Sequence, residues 1–421
     1  MAATDGRSGR SHGDETTRQF LARAVGALLC ALPLEAAAEE PAGPVGIDVD
    51  ASLHFYGELG RIWNFGPLAF VAWEPSLERE LSLRASVDVV TGSSPNAARS
   101  LPIPQTFSTP SGGSVYNVAA DETPLFSLDS ETRVAGQLGY TERFDQIHSL
   151  SAAFGGSTEY DYRSLSGSLG WSSELGRRNT TLGAEVRYEH AWILPIGNVP
   201  LPLATMDAFG SKRGKEAEKN VVGVSVAVTQ VLSRSALAQW GYTLEYDEGY
   251  LNDPYKVVTV VDMDNLAPGS VTYLHESRPE SRWRHALGAT FIQELRPVTL
   301  RGGYRFYFDD WGISTHTANA GARVELGASV YGSLSARASL QSKADFYRYS
   351  IDPSQSIEHV SADYRLGDLA TVSGLVGVGV MVAEDHQLRL RAGPMQQLPI
   401  ADGRFPAVTA FIGQLSYVGE F

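Results

Sequence analysis

Cysteine is nearly absent from this chain: Cys30 is the only one in 421 residues. It lies in a segment that reads as an export leader, so disulfides and thiol chemistry are excluded after cleavage. Charge is scarce too. Asp, Glu, Lys and Arg make up 19% of the residues, where soluble domains carry roughly 25%. No window holds the roughly 18–20 uninterrupted apolar residues of a transmembrane helix. The formal net charge is −14. Residues 1–38 contain four basic and four acidic side chains, so the rest carries the whole imbalance. Nucleic acid, which is held by clustered Lys and Arg, is therefore not an expected partner. There is no G-x-S-x-G, H-E-x-x-H or Cys₂His₂ spacing and no phosphate-cradling glycine loop. Neither an enzyme nor a cofactor or metal centre is expected.

What is present is alternation. Hydrophobic residues reach 43%, aromatics 10%, and glycines number 42. Residues 301–317 read RGGYRFYFDDWGISTHT. Arg301, Gly303, Arg305 and Tyr307 alternate with Gly302, Tyr304, Phe306 and Phe308, which predicts a strand with one wet and one apolar face. Val222, Val224, Val226 and Val228 alternate in the same way with Gly223, Ser225, Ala227 and Thr229. The pattern recurs at 181–188, 238–245 and 334–341.

The connections alternate in length. Short turns fall near 75–77, 145–146, 176–179, 233–235, 296–297, 327–331 and 384–385. Between them lie long segments near 92–131, 193–218, 249–281 and 344–367, with tighter ones near 57–61, 159–162, 309–312 and 397–407. One end of the molecule is trimmed and the other elaborated. The pattern predicts an all-β fold: a transmembrane antiparallel β-barrel of about 16 strands, with short periplasmic turns and long outer loops. Both chain ends fall on the short-turn side. Residues 1–38 read as a cleaved signal peptide, with Arg18 and Arg23 at its apolar stretch and small Ala36 and Ala38 at its end. Residues 39–45 form a short segment and 46–421 the barrel.

A soluble β-sandwich also alternates. Against it, the polar faces are rich in Ser, Thr, Gly and paired charges throughout, as for a wet lumen. Aromatics also sit near strand ends, at Trp63, Trp73, Tyr140, Trp171, Trp192, Trp240, Trp283, Tyr304, Trp311 and Tyr417, as interfacial girdles do. The expected partners are outer-membrane lipid and, through the terminal Phe421, the barrel-assembly machinery. Gly419 departs from the bulky residue common two places before the end.

Five stretches together resemble a bacterial outer-membrane barrel family catalogued as domain of unknown function 3570. They are SVDVVTGSSPNAA (86–98), STEYDYRSLSGSLGW (157–171), GYLNDPYKVV (249–258), SRPESRWRHAL (277–287) and RFYFDDWGISTHT (305–317). Ser93 and Ser94 stand where that family usually has Ala-Ser. The resemblance implies an outer-membrane barrel of unestablished role, in the company of periplasmic envelope proteins with a redox flavour.

Parity along the strands assigns the lumen charges. Arg282, Arg284, Arg301, Arg305, Arg323, Arg337, Lys343, Arg389 and Arg391 come from 282–391, and Glu185, Glu189, Glu245 and Asp247 from 181–247. Two arrangements are open: a basic wall facing an acidic one across the pore, or lateral pairs such as Arg323 with Glu325 and Arg305 with Asp309. Asp309, Asp310, Trp311 and Gly312 read as a tight hairpin at the outer mouth. The acidic loop 247–264 reads as solvated, since it has no D-x-D-x-D-G pattern for Ca²⁺. His190, His285 and His316 fall on the lipid face. The expected function is a channel or porin-like conduit for small hydrophilic solutes, with 92–131 as a constriction. The alternative is an occluded docking barrel for a periplasmic system.

Overall fold

A computed structural model describes residues 46–109, 115–145, 147–206, 212–267, 269–400 and 405–421. The expected leader, 1–38, and the segment 39–45 lie outside the described residues. The first strands are β1 (Gly46–Glu58), β2 (Ile62–Ser76), β3 (Arg79–Pro95), β4 (Gln105–Ser108), β5 (Val115–Val118), β6 (Leu125–Arg143), β7 (His148–Thr158) and β8 (Tyr162–Leu175). Then come β9 (Thr180–Ile193), β10 (Val199–Pro200), β11 (Lys212–Gly214), β12 (Ala217–Ser233), β13 (Ala236–Gly249), β14 (Val257–Val260) and β15 (Thr272–His275). The last are β16 (Ser281–Leu295), β17 (Val298–Asp309), β18 (Ser314–Glu325), β19 (Val330–Gln341), β20 (Leu369–Ala383), β21 (His386–Pro399) and β22 (Val408–Glu420).

Sixteen of these close into one antiparallel barrel, in chain order, with β4–β5, β10–β11 and β14–β15 set aside as three separate hairpins. Closure pairs β1 with β22, Asp48 opposite Glu420 and Leu53 opposite Leu415. The short joins 77–78, 144–147, 176–179, 234–235, 296–297, 326–329 and 384–385 share one end with both termini of the barrel. The connections 96–124, 194–216, 250–280 and 342–368 share the other and carry the three hairpins.

Strand parity sets the faces. Val222, Val224, Val226 and Val228 are all exposed, as are Leu300 and Tyr304. So continuous an apolar band would be costly in water but is what hydrocarbon covers. Trp63 and Trp283 stand exposed near the long-loop end, and Trp73, Tyr140 and Trp171 near the short-turn end. His285 bonds Tyr242 Oη at 2.8 Å, and His316 bonds Tyr304 Oη at 2.6 Å. His190 bonds Asn220 at 2.8 Å. All three lie on this outward face, as parity predicts.

Trp311 corrects the girdle reading. It is 4% exposed, packed with Ile313, Ala344, Phe346 and Leu366, and donates Nε1–H to Ser281 O at 2.9 Å. Parity ends where the strand ends, and Trp311 lies two residues past β17. Gly419 also finds its reason. A Cβ there would come within 2.5 Å of Tyr417 Oη and 2.6 Å of His386 Nδ1, so the stacked His386–Tyr417 pair fills the place of a bulky side chain.

Candidate functional site

The lumen wall divides into two kinds of surface. Along the long-loop half of β9, β12, β13, β16 and β17 the charges are paired laterally. Arg284 donates Nη2–H to Asp247 at 2.6 Å and meets Glu245 at 3.3 Å. Glu245 also takes Arg187, across Gly223 on the strand between them. A Cβ at Gly223 would sit 3.5 Å from Glu245 Cγ and 3.7 Å from Arg187 Nε, so the missing side chain leaves the path open. Glu185 lies close enough to Arg187 to feel its charge, and Glu189 accepts from Tyr162 Oη at 3.2 Å.

Asp309 is the most heavily used of these groups. It accepts Arg282 Nε–H at 3.0 Å, Tyr307 Oη–H at 2.7 Å, and the backbone N–H of Trp311 and Ile313. Arg282 in turn covers the Trp311 ring at 4.2 Å. The lateral pair expected between Arg305 and Asp309 is therefore absent: register sets Asp309 opposite Arg284, and Arg282 takes its carboxylate. Gly312 must be glycine, with φ +84° and a Cβ position 2.4 Å from Asp345 Oδ1. Asp310 receives Trp283 N–H at 3.0 Å, and Asp309 N–H donates to Ile313 O at 3.0 Å across the turn between β17 and β18.

The second surface lies at mid-height on β17 to β19. Arg305 stands opposite Gly288 and Thr317, and Arg337 opposite Asn319 and Ser373. Arg301 shares this face, opposite Ile292 and Gly321. Arg305 and Arg337 are exposed, although parity points them inward, and neither forms an ion pair among the described residues. An exposed inward arginine requires a wet lumen at this level. Arg323 pairs with Glu325 at 2.8 Å nearer the short turns, as the lateral reading expects. Arg391 donates to Gln414 at 2.7 Å and Arg389 to Gln387.

On the facing arc, β1 to β3 bring Asp50, His54 and Asp88 to the lumen. They lie outside the acidic strands 181–247 and the basic strands 282–391 that the sequence pattern picks out. Ser52 Oγ lies 2.9 Å from His54 Nε2, a His–Ser pair inside the lumen. Asp88 reaches over Gly66, where a Cβ would meet its Oδ1 at 2.5 Å.

The long-loop end is bridged. In barrel order β3 and β6 are third and fourth, whereas β13 and β16 are ninth and tenth. Sixteen tilted strands about 4.8 Å apart enclose a mouth roughly 30 Å wide, so loops from these two places meet only by crossing it. They do meet. Val257 N–H donates to Asn96 O at 2.9 Å, Lys256 Nζ to Pro95 O at 2.5 Å, and Arg99 N–H to Thr259 Oγ1 at 2.8 Å. Loop 342–368 joins through Ile351 N–H to Thr259 O at 3.0 Å, and loop 194–216 through Leu203 N–H to His275 O at 3.1 Å. The β14–β15 hairpin is the hub, and the cluster of Ala97, Val258, Ile351, Val360 and Ala362 is its dry core.

Beside that core lies a charge cluster of Asp253, Lys256, Glu276, Arg278, Asp363 and Arg365. Arg278 lies 2.7 Å from Glu276 and 3.1 Å from Asp363; Arg365 lies 2.6 Å from Asp363 and 2.9 Å from Asp253. Ser361 donates Oγ–H to Glu276 at 2.5 Å. Burial, with Asp253 and Asp363 alongside, pushes the Glu276 carboxyl up to about 7 despite Arg278. Burial pushes Asp363 the same way, but Arg365 and Arg278 overcome it and hold that carboxyl well below the usual range. The solvated reading of loop 247–264 thus fails for Asp247, which pairs with Arg284 of β16, and for Asp253, whose partner Arg365 comes from loop 342–368. It holds for Asp264, which is exposed. No group of metal-ligating side chains occurs among the described residues.

Three of the stretches that carried the family resemblance, 86–98, 249–258 and 277–287, reach into this cap at 96–98, 250–258 and 277–280. The family profile of proteins of unknown function DUF3570 matches residues 21–418. The chain belongs to that family. No curated protein matches it. Among solved structures it is similar to a ferric enterobactin receptor of Pseudomonas aeruginosa, at 9% identity and a TM-score of 0.42, covering 85% of this chain and 54% of the receptor. The DUF3570 chain therefore spans about half that receptor's length. A bacterial polysaccharide outer membrane secretin gives 8% identity and 0.46, covering 90% and 99%. The CymD monoaromatic hydrocarbon channel gives 9% and 0.39, covering 89% and 88%.

Proposed function

We propose that this DUF3570 protein is an outer-membrane conduit for small hydrophilic anions, with a basic lumen face beneath a bridged outer mouth. The observation that carries the reading is the pair of lumen-exposed arginines, Arg305 and Arg337, with no carboxylate at the neighbouring positions of the adjacent strands. A passing anion meets them without first displacing a protein carboxylate. The outward apolar band and the exposed aromatics support the outer membrane as the site. Ser52 keeps 6% of its surface, which favours a wall contact over a nucleophile paired with His54.

The test is a reversal-potential measurement across a planar bilayer, on a barrel whose fold is shown by heat-modifiable gel mobility. Anion preference that falls in Arg305→Gln and Arg337→Gln is the expected result. A folded but silent barrel sinks the conduit. It would favour the second reading, an occluded barrel docking periplasmic envelope partners, which the bridged mouth supports.

A further inference from the structure

We propose that the cavity lined by residues of 343–350 and 364–369, with Pro399, Ile400 and Phe405, is a docking subsite for a ring-bearing carboxylate. The proposal rests on the conduit reading and names its solute class. The cavity holds about 520 Å³, within the range of small-ligand sites. Tyr347, Tyr349 and Tyr364 line it together with Phe405. Tyr364 and Phe405 stack 4.3 Å apart and nearly parallel, and Arg61 covers the Phe405 ring at 4.8 Å, so this aromatic wall is built before any ligand arrives. Rigid aromatic faces give flat rings contact area at low entropic cost.

The charge supplies the second half. Lys343 and Arg348 line the same cavity and are exposed. Lys343 forms no ion pair among the described residues, and Arg348 spends Nη1 on the carbonyls of Asp345 and Tyr347, both at 2.8 Å. Two carboxylates share the wall, yet both have structural duties. Asp368 accepts the backbone N–H of Lys343 at 2.9 Å, and Asp345 lies against Gly312. Among the described residues these positive groups meet no carboxylate in the wall as an ion pair, and a ligand carboxylate matches them. Lys343 also lies six residues beyond Arg337, just past the end of β19. The cavity thus borders the end of the strand that carries Arg337.

Binding is measured by calorimetry on the full barrel in detergent, with glucuronate, benzoate and neutral glucose as probes, and bilayer currents are recorded on the same preparation. Binding of glucuronate or benzoate, whichever ring is preferred, is expected to exceed that of glucose. It should weaken by about tenfold in Lys343→Gln, the loss of one charge-assisted contact. Arg296→Gln, at the short-turn end, should bind as the natural chain does. Glucose binding as tightly as glucuronate, or binding unchanged in a folded Lys343→Gln, overturns the subsite. Binding without conduction keeps the subsite and rejects the conduit; conduction with no binding of any probe does the reverse.

Discussion

The two faces of the lumen wall are built from the same residue types and behave oppositely. On β13 and β16, Arg284 stands directly across from Glu245 and one step from Asp247. On β17 and β19, Arg305 and Arg337 stand across from Gly, Thr, Asn and Ser. An arginine is a strut in the first place and a lining in the second, and register alone decides which. Lateral pairs consume charge that a solute would otherwise meet, so counting lumen arginines says little about selectivity until their neighbours are known.

Removing 100–125 breaks the comparison at its outer end. The β4–β5 hairpin goes, and with it the contacts of Phe107 and Gln105 to Tyr273. Single-channel conductance is expected to rise several-fold, and unchanged conductance in a folded variant would count against the cap as a constriction. Next comes charge reversal on the lining: Arg305→Glu with Arg337→Glu is expected to turn anion preference into cation preference, read as a change of sign in the reversal potential. The matching change on the struts, Arg284→Gln, should leave selectivity nearly alone. It leaves Glu245 and Asp247 short of a counter-ion, and the barrel should lose about 3–5 kcal/mol in urea-dependent gel mobility.

Acidity probes the cap. Glu276 has its carboxyl raised from 4.5 to about 7, so the folded cap keeps a proton that the unfolded loop gives up. Its contribution is full below the ordinary value and falls as pH rises toward 7. Asp363 works in the opposite sense, losing its contribution only as pH falls below the ordinary carboxylate range. Loops 250–280 and 342–368 should therefore resist protease better at pH 5 than at pH 8, and Glu276→Gln should flatten the difference. The smallest effect is expected from Gly223→Val, which crowds the Arg187–Glu245 pair at a cost of about 1–3 kcal/mol, measured by the same urea series.

The barrel was legible in the sequence because period-two alternation survives any register and needs no partner. Strand number, short-turn joins, chain ends and inward arginines all follow from it. Pairing was not legible. Arg282 and Arg305 both face inward, yet only register shows that Asp309 serves the first. Nor was the cap, since long connections have no period from which to read a face. Asp253, Glu276 and Asp363 look like ordinary loop acids until three loops converge. The one available signal was indirect: the N-D-P-Y-K and S-R-P-E segments carried the family likeness without an assigned role, and both lie in the cap.

The span of the cap contacts has a consequence for assembly. Lys256 reaches Pro95 across 161 residues, and Arg99 reaches Ser350 at 2.8 Å across 251. Contacts so distant in sequence form late, because the intervening chain must first be ordered. The hub hairpin has nothing to grip until strands from opposite arcs of the wall stand in place. A newly inserted barrel therefore passes through an uncapped stage, and mouth closure reports that strands from the two arcs, β3 and β13 among them, have taken their places.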